Sequence, residues 1–417
     1  MATNLINWSS NHTFQAACMY QPATIDELRR IVSTAERVHA IGSRHSFNDI
    51  ADSPALINLD QMDQSISLDR DASTVTISAA MRYGTLAIAL EQTGYALHNM
   101  ASLPHITVGG AVATATHGSG DTSGNLASAV AAFEIVTGDG DVLHVSREAP
   151  GFDGMVVGIG ALGVVTRLTL DIEPSYLVKQ EVFEGLAWET VFDQFDTVSS
   201  GADSVSLFTD FGDIVNQVWL KFRVDPDHTI ERFDHFLGAP AALERRNPVV
   251  TFSAEQCTEQ LGIPGPWLDR LPHVRMEGVS DHGDQLQTEY MVSRAFAVPA
   301  LQSIKTLSAA IRPHLWIAEI RTVAADNLWL SSSYQTDSVC IHFSWKNDPD
   351  SVHRLLPIVE EALAPFAPRP HWGKLFAATS RDLEGRYPRF NDFRDLAIRL
   401  DPRGAFRNDF LNRCLFD

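Results

Sequence analysis

An α+β fold is predicted for this chain, and three observations predict it. Helical and strand-like patterns alternate in short units through residues 1–174, a block of small residues occupies 99–124, and two strands with one polar and one apolar face lie farther on. At 417 residues, 45% hydrophobic and 20% charged, the chain can bury two or three cores, which argues against disorder. The formal net charge of −20 repels nucleic acid and anionic membrane surfaces, so a neutral or small substrate is the expectation. Residues 1–15 carry no basic segment followed by an apolar stretch, and no uncharged apolar run reaches membrane-spanning length. A soluble cytoplasmic protein is expected. Cys18, Cys257, Cys340 and Cys414 are scattered without a Cys-x-x-Cys pair, which predicts buried reduced thiols and no metal centre.

Thr24-Ile25-Asp26-Glu27 is a capping box, and Leu28, Ile31, Val32 and Ala35 then share one helical face. A strand over Val38–Ile41 leaves into the loop Gly42-Ser43-Arg44-His45-Ser46-Phe47-Asn48-Asp49. A histidine set among small polar residues there is either an exposed loop side chain or a functional one. Strands follow at Ala55–Leu59, Ser65–Leu68 and Thr74–Ala79, the last two joined by a turn at Asp69-Arg70-Asp71, and then a helix around Leu86, Ala89 and Leu90 closed by Gly94. Residues 99–124, NMASLPHITVGGAVATATHGSGDTSG, are nearly all Gly, Ala, Ser, Thr and His. Such side chains let backbone N–H groups approach a pyrophosphate, and they also suit a tightly packed loop.

Strands are predicted at Ala132–Thr137 and Val164–Ile172, with a domain boundary at Pro174. Gly158-Ile159-Gly160-Ala161-Leu162-Gly163 fits the dinucleotide fingerprint, but that fingerprint needs a following helix and the residues from Val164 alternate as a strand. A Rossmann fold is rejected, and the glycines are read as a tight turn facing a ligand. Residues 175–370 hold strands at Ser204–Thr209 and Val218–Phe222 and a helix from about Ala300 to Ile311 entered through Pro299. In Trp316–Val323 the period of two puts Glu319 and Arg321 on one face; in Val339–Trp345 it pairs His342 with Ser344 opposite Ile341, Phe343 and Trp345. Each strand alone could be an exposed sheet face with a solvated ion pair. Two of them, followed by Arg369-Pro370-His371-Trp372-Gly373-Lys374, favour one polar site.

GSRHSFND, NMASLPHITVGGAVATATHGSG, GALGVVT, CTEQLGIPGPW, EIRTVAAD, IHFSW and RPHWGK occur in this order across the chain. On these motifs the sequence resembles the bacterial alditol oxidases, of the vanillyl-alcohol-oxidase-like flavoproteins that also include the sugar-lactone oxidases. The resemblance implies a two-subdomain FAD-binding (PCMH-type) domain over 1–174, a substrate domain over 175–369 with a large, mostly antiparallel sheet roofing the flavin, and a segment 370–417 returning to the FAD domain. It implies FAD bonded through its 8α-methyl to His45, a role that needs a neutral imidazole as nucleophile.

Carried over residue by residue, Ile41, Gly42, Ser43, Arg44 and Ser46 would surround the flavin beside His45. Ser102, Thr107, Gly110, Thr114, His117, Gly118 and His371 would form the flavin pocket and pyrophosphate cradle, and Gly163 and Val164 would offer backbone toward the adenine. Lys374 and Arg321 would polarise the substrate hydroxyl, His342 would relay its proton, and Glu319 and Ser344 would bind the polyol with Ser102 on the opposite wall. The implied reaction takes the terminal CH₂OH of an alditol such as xylitol or sorbitol to the aldehyde, with O₂ reduced to hydrogen peroxide, in a monomer without nucleic-acid or membrane partners. An aldonolactone oxidase, a polyol dehydrogenase using another acceptor and a non-catalytic sugar-binding protein are the alternatives. The chain departs from its relatives in two places. Ser344 stands where some carry threonine, which leaves the polyol length open, and Arg44 stands where wider relatives carry glycine and is expected to face solvent.

Overall fold

The computed structural model describes residues 5–225, 232–275 and 284–417. Helix Ile25–Thr34 begins where the Thr24 hydroxyl accepts from Glu27 N at 3.2 Å, but the Glu27 carboxylate reaches back to Ala23 N, one residue before the capping box places it. Leu28 and Val32 of this helix are fully buried. The helix is the crossover that lets strands Cys18–Tyr20 and His39–Ala40 both run parallel to the central strand Ala55–Ile57. The expected strand Val38–Ile41 thus shrinks to its two middle residues. Cys18 lies exposed on this sheet, which corrects the expectation of four buried thiols; Cys257, Cys340 and Cys414 are buried and all four are free.

A five-stranded antiparallel sheet follows, in the order Ser67–Asp69, Thr74–Ser78, Val164–Asp171, Val130–Val136, Val142–Ser146. Its first turn forms because Asp69 Oδ1 accepts from the N–H groups of Asp71 and Ala72. Strand Val164–Asp171 alternates buried and half-buried side chains without a break, so the glycines before it open a strand and a Rossmann unit is absent there. Helix Tyr83–Gln92 ends at Thr93, and Gly94 takes φ +82° beyond it. Inside the small-residue block the chain forms a helix at Val108–Ala113, which the composition did not announce.

The second half is built on an eight-stranded antiparallel sheet. Its order is Gly265–Pro266, Leu177–Ala187, Ile214–Val224, Ser204–Thr209, Leu315–Val323, Ser338–Lys346, Gln285–Ser293, Arg369–Pro370. One face packs under helices Ala297–Thr306 and Pro349–Leu363, where Ile320, Ile341, Phe343 and Trp345 meet Leu301, Ile304, Leu356 and Val359. The first of these helices starts earlier than Ala300 and keeps Pro299 in its first turn, where a missing N–H costs nothing; it breaks at Leu307. The other face of the sheet carries polar side chains toward the first half. Trp372, Phe390, Phe393 and Leu411 join one apolar core with Val75, Leu86 and Phe133, so the chain end and the first half share their interior. Among the described residues no helix is long and apolar enough to cross a membrane.

Candidate active site

A cavity of about 1110 Å³ lies between the first half and the polar face of the large sheet. That is just above the range of roughly 300–1,000 Å³ usual for small-molecule sites, so it has room for a cofactor and a substrate together. It is bordered by Ile41, Gly42, Ser43, Arg44, His45, Ser46, Ser102, Thr107, Gly110, Thr114, His117, Gly163, Glu319, Arg321, His342, Ser344, His371 and Lys374, all expected from the sequence. Gly118 and Val164 do not border it. A Cβ on Gly118 would come 2.5 Å from the Met100 carbonyl oxygen, so that glycine serves close backbone packing, and the Val164 side chain lies in the core beneath helix Ile25–Thr34.

The loop from Gly42 to Asp49 is held from two sides. The Ser43 hydroxyl accepts from Thr107 N at 3.1 Å, and a Cβ on residue 42 would lie 2.2 Å from Thr107 Oγ1, so only glycine allows this approach. Phe47 N donates to the Gly373 carbonyl at 2.8 Å, and the Asn48 amide donates to the carbonyls of Trp372 and Lys374 at 2.9 and 2.7 Å. These bonds tie the two motifs into one unit. Trp8 stacks on the His45 ring at 5.3 Å. Burial pushes His45 down to about 4, helped by the positive charges of Arg82 and Arg44, so the imidazole is neutral at pH 7. Its Nδ1 is buried and has no hydrogen-bond partner among the described residues. Arg44 is exposed, as expected, and takes φ +61°, a left-handed conformation that costs an L-residue roughly 1–2 kcal/mol.

At the other end the register of the sheet sets Glu319 directly opposite His342 and Ile317 opposite Ser344. Arg321, one pleat along, faces the cavity with Glu319, while Ala318 and Ile320 enter the core. At the centre stands Glu289, which the sequence reading missed. Its carboxylate accepts from Arg321 Nη2 at 2.7 Å and from Lys374 Nζ at 2.5 Å, and His117 Nε2 lies 3.4 Å away. Burial works to raise the Glu289 pKa, but Lys374, His117 and Arg321 outweigh it and hold the carboxyl well below the usual range. Glu319 is lowered in the same way by Arg321 and His273 against its burial. Lys374 also donates to His342 Nδ1 at 2.8 Å, while His342 Nε2 meets Ser344 Oγ at 3.0 Å. Burial and the Lys374 charge push His342 down to about 3, so its ring is neutral. Lys374 itself is lowered by burial despite Glu289. The arrangement can hold two cations beside a neutral imidazole, all three side chains largely buried.

Glu289 was legible in principle. Gln285-Leu286-Gln287-Thr288-Glu289-Tyr290-Met291-Val292 alternates, and its strand puts Gln285, Gln287 and Glu289 on the cavity. His273, whose Nε2 meets Glu319 Oε1 at 2.8 Å, and Lys221 behind it were also missed, and no local pattern marks either.

A family model described as an FAD binding domain matches residues 16–146, and one described as D-arabinono-1,4-lactone oxidase matches residues 282–414. The crystal structure of a cholesterol oxidase from B. sterolicum superimposes with a TM-score of 0.80 over 98% of this chain and 96% of that one, at 13% identity, a likeness of fold. With the long cavity, the neutral His45 and the open Nδ1, the residues fit FAD, and the class is that of the FAD-dependent oxidoreductases. An alditol oxidase from Streptomyces sp. is 43% identical over 100% of both chains, and an L-gulono-1,4-lactone dehydrogenase from Mycobacterium tuberculosis is 27% identical over 98% of each. This chain belongs to the alditol oxidase family.

Proposed function

We propose that the protein oxidises the terminal primary hydroxyl of alditols such as xylitol and sorbitol to the aldehyde, with O₂ as electron acceptor and hydrogen peroxide as second product. The observation that carries this is the meeting of Glu319, Arg321, His342, Ser344 and Lys374 at one end of the cavity that His45 borders. In this reading residues 1–174 with 370–417 hold the cofactor, and 175–369 hold the substrate. Bound FAD supplies the chemistry of a two-electron acceptor, taking hydride from the alcohol carbon and passing the electrons to O₂. Lys374 and Arg321 stabilise negative charge on the alcohol oxygen as its proton leaves. His342 keeps its own proton on Nε2, toward Ser344 Oγ at 3.0 Å, and its Nδ1 lone pair, which Lys374 meets at 2.8 Å, would take the hydroxyl proton, the resulting imidazolium facing the Glu289 carboxylate. Glu319 and Ser344 bind the remaining hydroxyls and Ser102 closes the opposite wall, so a simple alcohol leaves buried polar groups unpaired and is rejected.

Mixing the purified yellow protein with xylitol anaerobically tests the reading: the flavin absorbance bleaches and air restores it with one peroxide per cycle. The match of residues 282–414 to a lactone oxidase model supports a second reading, oxidation of an aldonolactone. Faster bleaching by a gulono- or galactonolactone than by any alditol would replace the first reading with the second. Bleaching by xylitol that air does not reverse would make the protein a dehydrogenase.

His45 is the proposed attachment point, through the lone pair of its unpartnered Nδ1. In the wild type, flavin fluorescence stays with the chain after acid precipitation; in His45→Ala it goes to the supernatant and turnover slows. Because the folded ring protonates only near pH 4, attachment of FAD to apoprotein proceeds at one rate from pH 8 to pH 6. A rate that halves near the ordinary histidine value of about 6.5 would show an imidazole that burial has not kept neutral.

A further inference from the structure

Lys221, in strand Ile214–Val224, is 2% exposed, and among the described residues no carboxylate lies within ion-pair distance of it. Its ammonium donates instead to the carbonyl oxygens of Leu271 and Pro272 and, at 3.2 Å, to His273 Nδ1. All three protons are used. A ring that accepts at Nδ1 carries its own proton on Nε2, and that nitrogen donates to Glu319 Oε1 at 2.8 Å. His273 is fixed as well as oriented: its backbone N–H bonds to the Ser102 carbonyl at 3.0 Å, and Phe208 and Trp219 meet its ring edge-on at 5.5 and 5.3 Å. Burying a lysine costs stability unless its ammonium is hydrogen-bonded, as it is here to two carbonyls and a ring nitrogen. Burial pulls Lys221 down to about 7 against the attraction of Glu319.

We propose that Lys221 and His273 are positioning residues that act through Glu319, Lys221 fixing the His273 tautomer and His273 holding Glu319 Oε1 so that the remaining carboxylate lone pairs face the polyol. The proposal rests on the alditol reading for its substrate. It adds His273, which borders the cavity beside Glu319, and Lys221 behind it, two residues whose loss weakens alditol binding and leaves the chemical step nearly intact.

The test uses the flavin-loaded protein, with flavin content as the control for folding. His273→Leu raises KM for xylitol at least tenfold while kcat stays within threefold, about 1.4 kcal/mol of lost binding. His273→Gln, which keeps an N–H donor at the Nε2 position, restores KM to within threefold of wild type. Lys221→Met raises KM at least fivefold, and in ¹⁵N-histidine spectra the unprotonated His273 Nδ1 resonance loses the shift of a hydrogen-bond acceptor. Equal KM in all three variants and the wild type, or a fall in kcat at unchanged KM, overturns the proposal. Should His273→Leu not fold, the contrast between His273→Gln and Lys221→Met decides, and equal effects in those two overturn it. If the wild type oxidises no alditol, the functional reading fails separately, and the ¹⁵N signature, read without substrate, still tests the Lys221–His273 link.

Discussion

Replacing Lys374 by alanine is expected to slow alditol turnover at least a hundredfold. Among the described residues the ammonium is the one group bonded to both Glu289 and His342, and it borders the cavity with Arg321. Loss of one preorganised electrostatic donor costs roughly 10²–10³ in rate, about 3–4 kcal/mol. The effect falls on the reductive half-reaction, so single-turnover bleaching should slow by the same factor as steady-state kcat, with KM little changed. Folding should survive, because Arg321 still neutralises Glu289. A bleaching rate within tenfold of wild type would remove Lys374 from the chemistry.

A different outcome is expected for Glu289→Gln, which damages stability as well as rate. Arg321 and Lys374, both largely buried, would then face each other with their shared carboxylate gone, and breaking a buried charge pair by removing one partner costs about 3–5 kcal/mol. Lys374, already lowered by burial, would lose the attraction that opposes that burial and would shed its proton more readily. Turnover should fall steeply and urea unfolding should shift to lower concentration with its slope unchanged. Wild-type stability in this variant would mean that the ion pairs at 2.5 and 2.7 Å contribute nothing net.

What the sequence disclosed and what it withheld follow from the range of the interactions. Glu319 with Arg321 and His342 with Ser344 were legible because a strand sorts its side chains by a period of two, and the large sheet keeps that sorting. The turn at Gly158–Gly163 was legible because the residues after it alternate. Glu289 obeys the same period and was passed over because QLQTEYMV contains few charges to catch attention. Lys221 and His273 follow no local rule; they meet because strand Ile214–Val224 and the chain around residue 273 pack together, a tertiary event. Helix Val108–Ala113 escaped because its residues are Val, Gly and Ala, a composition that fits a loop equally well. Gly118 does not border the cavity, and the close approach of Asn99 and Met100 that leaves no room for a Cβ there is a tertiary contact no motif displays.

Asn48 and Lys374 are separated by 326 residues and joined by one amide. On the ribosome the histidine loop emerges first and waits for nearly the whole polypeptide before the wall behind it exists. The contacts that hold the loop Gly42–Asp49 against residues 372–374 therefore form only after those residues have been made, and a chain truncated ahead of them would leave the Asn48 amide without these two carbonyls.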